Sequence, residues 1–504
     1  MAVSLSHGGP TWQNLTLAAA AIGGGYLTYV AWSTLVKKSK AKGKTPPMPP
    51  RHWLFGHIPL LTTLMKPGDH LDQAVIVLQK QYPHLGKFWQ LDLILFKFIM
   101  VNDADAMKEI LLTKSYKKSP TYNGLHPFIG AQSMVCSEGA VWSKQRKAFS
   151  PGFNFQFLKT QVPVFVTKTQ SLVKRFKRVA DTGKPTKLLD EITLLTLDVI
   201  VQVALSLDFK FMDSEKPPPI FDAFMGLLEI TSAYSQPHVS WQRYLPWVRT
   251  KWQRLQRGFD TQVETVIRKR LANPDTEENA KDILSMAIAT SKESGEGELD
   301  FQDVLAQVKT FLFAGHDTTA SSVAFSIYEI SCNPEVQTLL LEEVDRVCGG
   351  RIPTADDLNE LKYMTAVVKE TLRMWPPGGT ARIAPAGATY NGFDIGLKPL
   401  YIGHMMIHRD PDYWGPDAHV FRPSRWQDEA YVAALHPMAY MPFSKGQRDC
   451  IGQTFANMEM KTLLAVLYTH FTFKYAGEFP EEQGFQITSH PKYHVPVTIH
   501  SRAT

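Results

Sequence analysis

Around Cys450 the chain reads Phe443-Ser444-Lys445-Gly446-Gln447-Arg448-Asp449-Cys450-Ile451-Gly452. A phenylalanine, an arginine, a cysteine and two glycines at these offsets form a combination that chance rarely assembles. The glycines allow a tight turn and a close approach to a flat ligand. An apolar helix follows, and its positive N-terminal end near the sulfur favours the thiolate. A thiolate bound axially to haem iron pushes electron density onto the metal and assists O–O cleavage. An inert core cysteine is the competing reading for a lone Cys, and the residues around Cys450 speak against it.

A second grouping is Ala314-Gly315-His316-Asp317-Thr318-Thr319. Glycine and paired threonines lower helix propensity, and a threonine hydroxyl can bond the carbonyl one turn back and bend the helix. An acid beside an alcohol, Asp317 with Thr318, makes a route for protons; a kink without a role is the plainer alternative. His316 is read as a packed or hydrogen-bonded histidine in preference to a metal ligand, because the thiolate already fills that place. Glu370-Thr371-Leu372-Arg373 sets an acid and a base on one helix face. Trp142 and Arg146, four apart, share another face, with Arg146 suited to a carboxylate ligand. Taken alone, either pattern is equally well a solvated surface arrangement.

The elements that must hold these groups are mostly helical. Phe301 to Cys332 makes one long helical pattern, interrupted at Gly315 and Thr318-Thr319. Gln453 to Phe471 makes another, directly after the cysteine loop. Thr354 with Asp357 starts the amphipathic run Leu358–Trp375, and Asp69 caps a helix carrying Leu71, Val75 and Leu78. Lys87 to Val101 reads as a hairpin, with short β segments at Ala388–Ile395 and Phe485–Ile499. Lys216-Pro217-Pro218-Pro219 and the polar stretch Asn273 to Gly297 read as surface loops. The class is mainly α with minor β.

The chain has 504 residues, a net charge of +6 and four cysteines, Cys136, Cys332, Cys348 and Cys450, none in a CxxC pair. That excludes a disulfide scaffold and a Cys-rich zinc site, and the mild charge does not argue for nucleic acid. Leu15 to Val36 is a run of 22 uncharged residues, about the length that crosses a bilayer as a helix. Five lysines between Lys37 and Lys44 follow it. A positive flank stays cytosolic, so residues 1–14 are expected in the lumen and the body in the cytosol. A cleaved signal peptide would carry its basic residues before the run, where there are none. Asn14, in Asn14-Leu15-Thr16, is the one candidate for N-glycosylation. The organisation expected is therefore a luminal 1–14, an anchor at 15–36, a basic and Pro-rich linker at 37–50, and one domain from 51 to 504.

With these motifs in view, the chain resembles the cytochrome P-450 haem-thiolate monooxygenases from Arg51 to its C-terminus. The resemblance implies the cytochrome P-450 fold, a single large domain after one N-terminal transmembrane helix. It implies haem b held non-covalently apart from the bond from Cys450 to iron. Phe443 stands beside the sulfur, and Trp142, Arg146, Arg382 and Arg448 are partners of the haem propionates. Glu370, Arg373 and Arg425, the last in Pro423-Ser424-Arg425-Trp426, form a buried structural cluster. Thr318 orients and donates to dioxygen, and Asp317 replenishes protons. Phe311 to Thr319 is most similar to the branch of fatty-acid hydroxylases and fungal secondary-metabolism enzymes. Many animal members have a glutamate where this chain has Ala314, which argues against terminal fatty-acid hydroxylation here.

The resemblance also implies a microsomal enzyme of the endoplasmic reticulum membrane, fed by NADPH through a separate cytochrome P-450 reductase, with cytochrome b5 as a further candidate partner. No nucleic acid is expected. The resemblance makes Tyr122–Cys136, Leu205 to Phe211, Phe311–Ala314, Pro377–Ala381 and the turn Thr488–Tyr493 substrate-facing, and their apolar, aromatic content implies a hydrophobic small molecule. The segment from Trp241 to Arg257, basic and aromatic, is either a membrane-surface contact or a plain basic helix. The leading expectation is a monooxygenase that hydroxylates or epoxidises its substrate. An O2-independent haem-thiolate isomerase or dehydratase would have no use for Asp317-Thr318, and a non-catalytic haem sensor would leave the pocket idle.

Overall fold

The computed structural model describes residues 43–502 except 67, 94–95, 213–218, 236–244, 273–281 and 294–297. The expected anchor at 15–36 and Asn14 lie outside the described residues. Among the described residues no helix is long and apolar enough to cross a membrane.

The helices of eleven residues or more are α1 (Leu71–Gln81), α2 (Gly139–Phe149), α3 (Phe155–Lys177), α4 (Leu188–Leu205), α5 (Pro219–Ser235), α6 (Pro246–Ala272), α7 (Ile283–Glu293), α8 (Phe301–Cys332), α9 (Pro334–Cys348), α10 (Lys362–Met374) and α11 (Gln453–His470). The strands are β1 (Phe88–Leu93), β2 (Phe96–Val101), β3 (Lys117–Lys118), β4 (Thr186–Lys187), β5 (Thr380–Ile383), β6 (Thr389–Tyr390), β7 (Phe393–Asp394), β8 (Pro399–Ile402), β9 (Phe471–Tyr475), β10 (Gln483–Gln486), β11 (Thr488–Pro491) and β12 (Pro496–Ser501). They form a five-stranded sheet in the order β1-β2-β8-β5-β3, a three-stranded sheet β4-β12-β9, and the pairs β6-β7 and β10-β11. The expected hairpin at 87–101 is present as antiparallel β1 and β2.

Helix α4, apolar over most of its surface, and helix α8, buried along most of its length, form the centre of the main core. Gly315 makes their close approach workable, since a Cβ there would stand 2.8 Å from Ile200 Cγ1. Helix α8 begins at a reciprocal capping box, in which Asp300 accepts from the Asp303 N–H at 2.7 Å. It runs from Phe301 to Cys332 without the interruption expected at Gly315 and Thr318-Thr319. The Thr318 hydroxyl bonds back to the Ala314 carbonyl along the helix instead of breaking it.

Three local expectations change. The α1 cap is His70, whose Nδ1 accepts from the Asp72 N–H at 3.1 Å. Asp69 is engaged elsewhere, by the Lys66 N–H and by Lys492 Nζ, each at 2.7 Å. Thr354 and Asp357 do bond reciprocally, yet the helical turn they open ends at Glu360. Helix α10 starts afresh at Lys362 because the Glu343 carboxylate of α9 accepts from the Tyr363 and Met364 N–H groups at 2.7 and 2.8 Å. The polar stretch 273–297 contains helix α7, which buries Ile283, Leu284 and Ala287.

Candidate active site

The cysteine loop is held from behind by a cluster of charges with no contact to water. Arg373 and Arg425 have fully buried side chains, as does Glu370. Glu370 receives Arg373 Nε and Nη2 at 2.9 and 2.8 Å, Arg425 Nε at 3.0 Å and Trp426 Nε1 at 2.9 Å. Arg373 Nη1 donates to the His408 and Ala418 carbonyls, and Arg425 Nη1 to Tyr431 Oη. His408 Nε2 in turn accepts from the Met441 N–H at 3.0 Å, two residues before Phe443. The expected Glu370, Arg373 and Arg425 are thus brought together and tied to the loop through His408.

The loop itself turns at Gly446, with φ +85°, where a Cβ would lie 2.5 Å from the Leu111 carbonyl oxygen. The Cys450 N–H donates to the Phe443 carbonyl at 2.9 Å, and α11 begins three residues on. Cys450 is exposed by area because it faces an internal cavity, not bulk water. Burial pushes its thiol up, while the Gly452 N–H and Arg146 pull the other way.

The cavity is about 300 Å³, within the range of ligand sites. Cys450, Phe443 and Gly452 line one part of it; Ala314, Gly315, Thr318 and Thr319 of α8 line another. Met134, Val135, Phe153 and Phe311 supply apolar wall. Thr318 Oγ1 donates to the Ala314 carbonyl at 2.8 Å. Asp317 turns away from Thr318 and receives a hydrogen bond from Thr488 Oγ1 on β11. Thr488 lines the cavity as well. Burial pushes the Asp317 carboxyl up to about 7. His316 is a packed histidine: its Nδ1 meets the Leu312 carbonyl at 2.6 Å, its ring stands edge-on to Phe224, and burial lowers it to about 4.

The remaining wall is basic. Lys118, Arg146, Arg448 and His404 line the cavity, and burial, with Arg382 close by adding to it, lowers both Lys118 and His404. Arg448 stacks 4.6 Å over Trp142, bonds the Met134 and Ser137 carbonyls, and pairs with Glu138 at 2.8 Å. Arg146 pairs with Asp449 at 2.8 Å. Arg382 Nη1 and both ring nitrogens of His404 are buried without a hydrogen-bond partner. Four fixed cations thus face two carboxylates, Glu138 and Asp449. Leaving buried charge and polar atoms so unmatched is costly. An excess of two positive charges beside a thiol fits haem, a flat group with two propionates and a central iron.

Sequence reasoning found Trp142, Arg146, Arg382, Phe443, Arg448 and Cys450, placed Tyr122 and Thr488 only as ends of substrate-facing segments, and missed Lys118 and His404. Lys118 lies on a two-residue strand, and His404 follows β8. Neither belongs to a motif with a readable spacing. Tyr122 Oη is 3.4 Å from Lys118 Nζ and receives the Ala381 N–H at 3.3 Å. Burial would raise this phenol, but Lys118 and Arg382 outweigh it and bring it to about 8.

Residues 46–495 match the sequence model described as Cytochrome P450. "Cytochrome P450 monooxygenase polC" of Polytolypa hystricis is 29% identical over 84% of the chain and 81% of that protein. "Cytochrome P450 4B1" of Rattus norvegicus is 29% identical over 85% of the chain and 84% of its own. Among solved structures, the crystal structure of the cytochrome P450DA heme domain superposes with a TM-score of 0.80. It covers 91% of this chain and 97% of its own at 24% identity, a likeness of fold.

Proposed function

The chain belongs to the cytochrome P450 family, and from that premise we propose that it oxidises a hydrophobic small molecule in the cavity between Cys450 and Thr318. It is a P450 monooxygenase with a haem-thiolate cofactor, O2 as co-substrate and electrons derived from NADPH. Bound haem supplies the activation of O2. The chain's own residues hold it and govern protons and water around it. In this reading the Cys450 thiolate would hold the haem iron, with Phe443 beside the sulfur. Arg146, Arg382 and Arg448, with Trp142 under Arg448, hold the propionates, and Lys118, Tyr122 and His404 join them. The orphaned Arg382 Nη1 and His404 nitrogens support that assignment.

The observation that carries the reading is the cavity with a thiol on one wall, a helix hydroxyl on another, and two uncompensated positive charges at its edge. Apolar side chains such as Phe311 and Val135 exclude water and favour an apolar substrate. Thr318 Oγ1, anchored on the Ala314 carbonyl, keeps its lone pairs toward the cavity and can pass on a proton there. Asp317, half-protonated near neutrality, is the source of that proton. Glu370, Arg373 and Arg425 are structural. The apolar run at 15–36 anchors the chain in the endoplasmic reticulum membrane with the domain in the cytosol, and a separate NADPH–cytochrome P450 reductase delivers electrons. The domain is one unit from residue 51. The resemblance of Phe311 to Thr319 to the branch of fatty-acid hydroxylases and fungal secondary-metabolism enzymes leaves fungal tailoring chemistry and fatty-acid hydroxylation as the two substrate fields.

The test is Thr318→Ala in reductase-bearing microsomes, offered lipids, terpenoids and polyketides with product read by mass spectrometry. Haem binding should be retained while product per NADPH falls and hydrogen peroxide rises. A hundredfold loss of coupling corresponds to about 2.7 kcal/mol. Unchanged coupling would reduce Thr318 to a helix-bending residue.

A further inference from the structure

The acid and the alcohol that stand side by side in the sequence do not bond each other. Consecutive residues on a helix point about 100° apart, and the fold uses that divergence. Thr318 faces the cavity and bonds back to Ala314, while Asp317 meets Thr488 across the gap between α8 and β11. Asp317 is not among the residues lining the cavity; Thr488 is. The carboxyl therefore reaches the reaction space through a second hydroxyl.

That hydroxyl is held rigidly. Strands β10 and β11 pair in register Gln486↔Thr488, so a single residue, Ile487, makes the turn, with φ +71°. A branched side chain in the left-handed region persists only where its surroundings over-determine it. The hairpin is pinned on both strands: the Ser489 N–H donates to the Pro377 carbonyl at 2.7 Å, and Gln483 Nε2 to the Pro376 carbonyl at 2.9 Å. Pro377 lines the same cavity. Thr488 thus has a fixed backbone, and its hydroxyl has one donor proton, given to Asp317, and lone pairs left for the cavity.

We infer that Thr488 is a positioning residue for catalysis: it fixes the Asp317 carboxyl and forms the hydroxyl link by which that carboxyl exchanges a proton with the cavity. The inference rests on the reading of Asp317 as proton source. The transfer balances as a relay. When the carboxyl is protonated the shared bond reverses: the Asp317 Oδ2–H donates to Thr488 Oγ1, whose own proton turns to the cavity, and as that proton passes to a water or ligand there the carboxyl proton moves onto Oγ1. Thr318 then handles the proton at the cavity centre, and Thr488 guards its entry.

Thr488→Val is close to isosteric and removes only the hydroxyl; Thr488→Ser keeps it. Two readouts are taken on the holoenzyme with its reductase: the infrared carboxyl band that disappears in Asp317→Asn, and NADPH oxidation with dodecanoic acid as the probe ligand. Thr488→Val is expected to shift the Asp317 band and slow NADPH oxidation about tenfold or more, as far as Asp317→Asn does. Thr488→Ser is expected to restore both to within about twofold, with haem content and dodecanoate affinity unchanged throughout. If Asp317→Asn is slow and Thr488→Val is not, Asp317 acts without Thr488 and this inference falls while the proton-source reading stands. If neither variant is slowed, both fall. A Ser variant as slow as Val would make Thr488 a packing residue, and the inference would fall with it.

Discussion

Two buried groups of basic side chains adjoin the cysteine loop. In the first, Glu370 binds Arg373 and Arg425, and every guanidinium nitrogen of both arginines has a protein partner. In the second, Lys118, Arg448 and His404 line a cavity with Arg382 beside them, and Arg382 Nη1 and both His404 nitrogens have none. The same side-chain chemistry serves two ends. A satisfied cluster is a structural joint, and here it leads through His408 to Met441 and the loop. An unsatisfied one is half of an interaction, and what completes it must bring negative charge.

The sharpest way to break that contrast is to substitute one arginine from each group. Arg373→Met leaves Glu370 buried with two of its five hydrogen bonds gone, a loss of about 3–5 kcal/mol in folding free energy. Urea unfolding of the purified domain reads it, and a small loss would show that the cluster is dispensable. Arg382→Met removes a cation with no carboxylate bonded to it, so folding stability should be unchanged or improved. Haem retention should instead weaken by about 2 kcal/mol or more, the cost of truncating one partner of a buried charge pair. Competition with an apo-haem acceptor protein measures it. Equal behaviour of the two variants would erase the distinction.

The smallest effect expected is on pH. Burial holds the Asp317 carboxyl at about 7. It is protonated below that pH and charged above it. Turnover limited by proton supply should therefore be full on the acid side and decline as pH rises through about 7. The decline should vanish in Asp317→Asn, read as NADPH oxidation against pH. A profile identical in the parent and the variant would remove Asp317 from the path.

Much of the first group was legible in the sequence because its parts are local. Glu370 and Arg373 are one helical turn apart, the cysteine loop is continuous, and α8 runs over the Phe301–Cys332 span that its periodicity implies. The second group was legible only where a motif carried it. Lys118 and His404 meet because β3 pairs with β5 and β5 with β8, a closure that no local pattern announces. Likewise Asp317 beside Thr318 suggested a direct acid–alcohol pair, and only the long-range approach of β11 shows Thr488 between the acid and the cavity. Helix α7 was hidden because polar residues flank its short apolar face, and the α1 cap because Lys492, more than four hundred residues away, claims Asp69.

The central claim is that the cavity holds haem on the sulfur of Cys450, and one spectrum tests it directly. The parent protein, reduced and exposed to carbon monoxide, should show the long-wavelength carbonyl band that requires a thiolate opposite the gas. Cys450→Ala should lose that band entirely, while Cys136→Ala and Cys332→Ala keep it. A band that survives in Cys450→Ala would contradict the account.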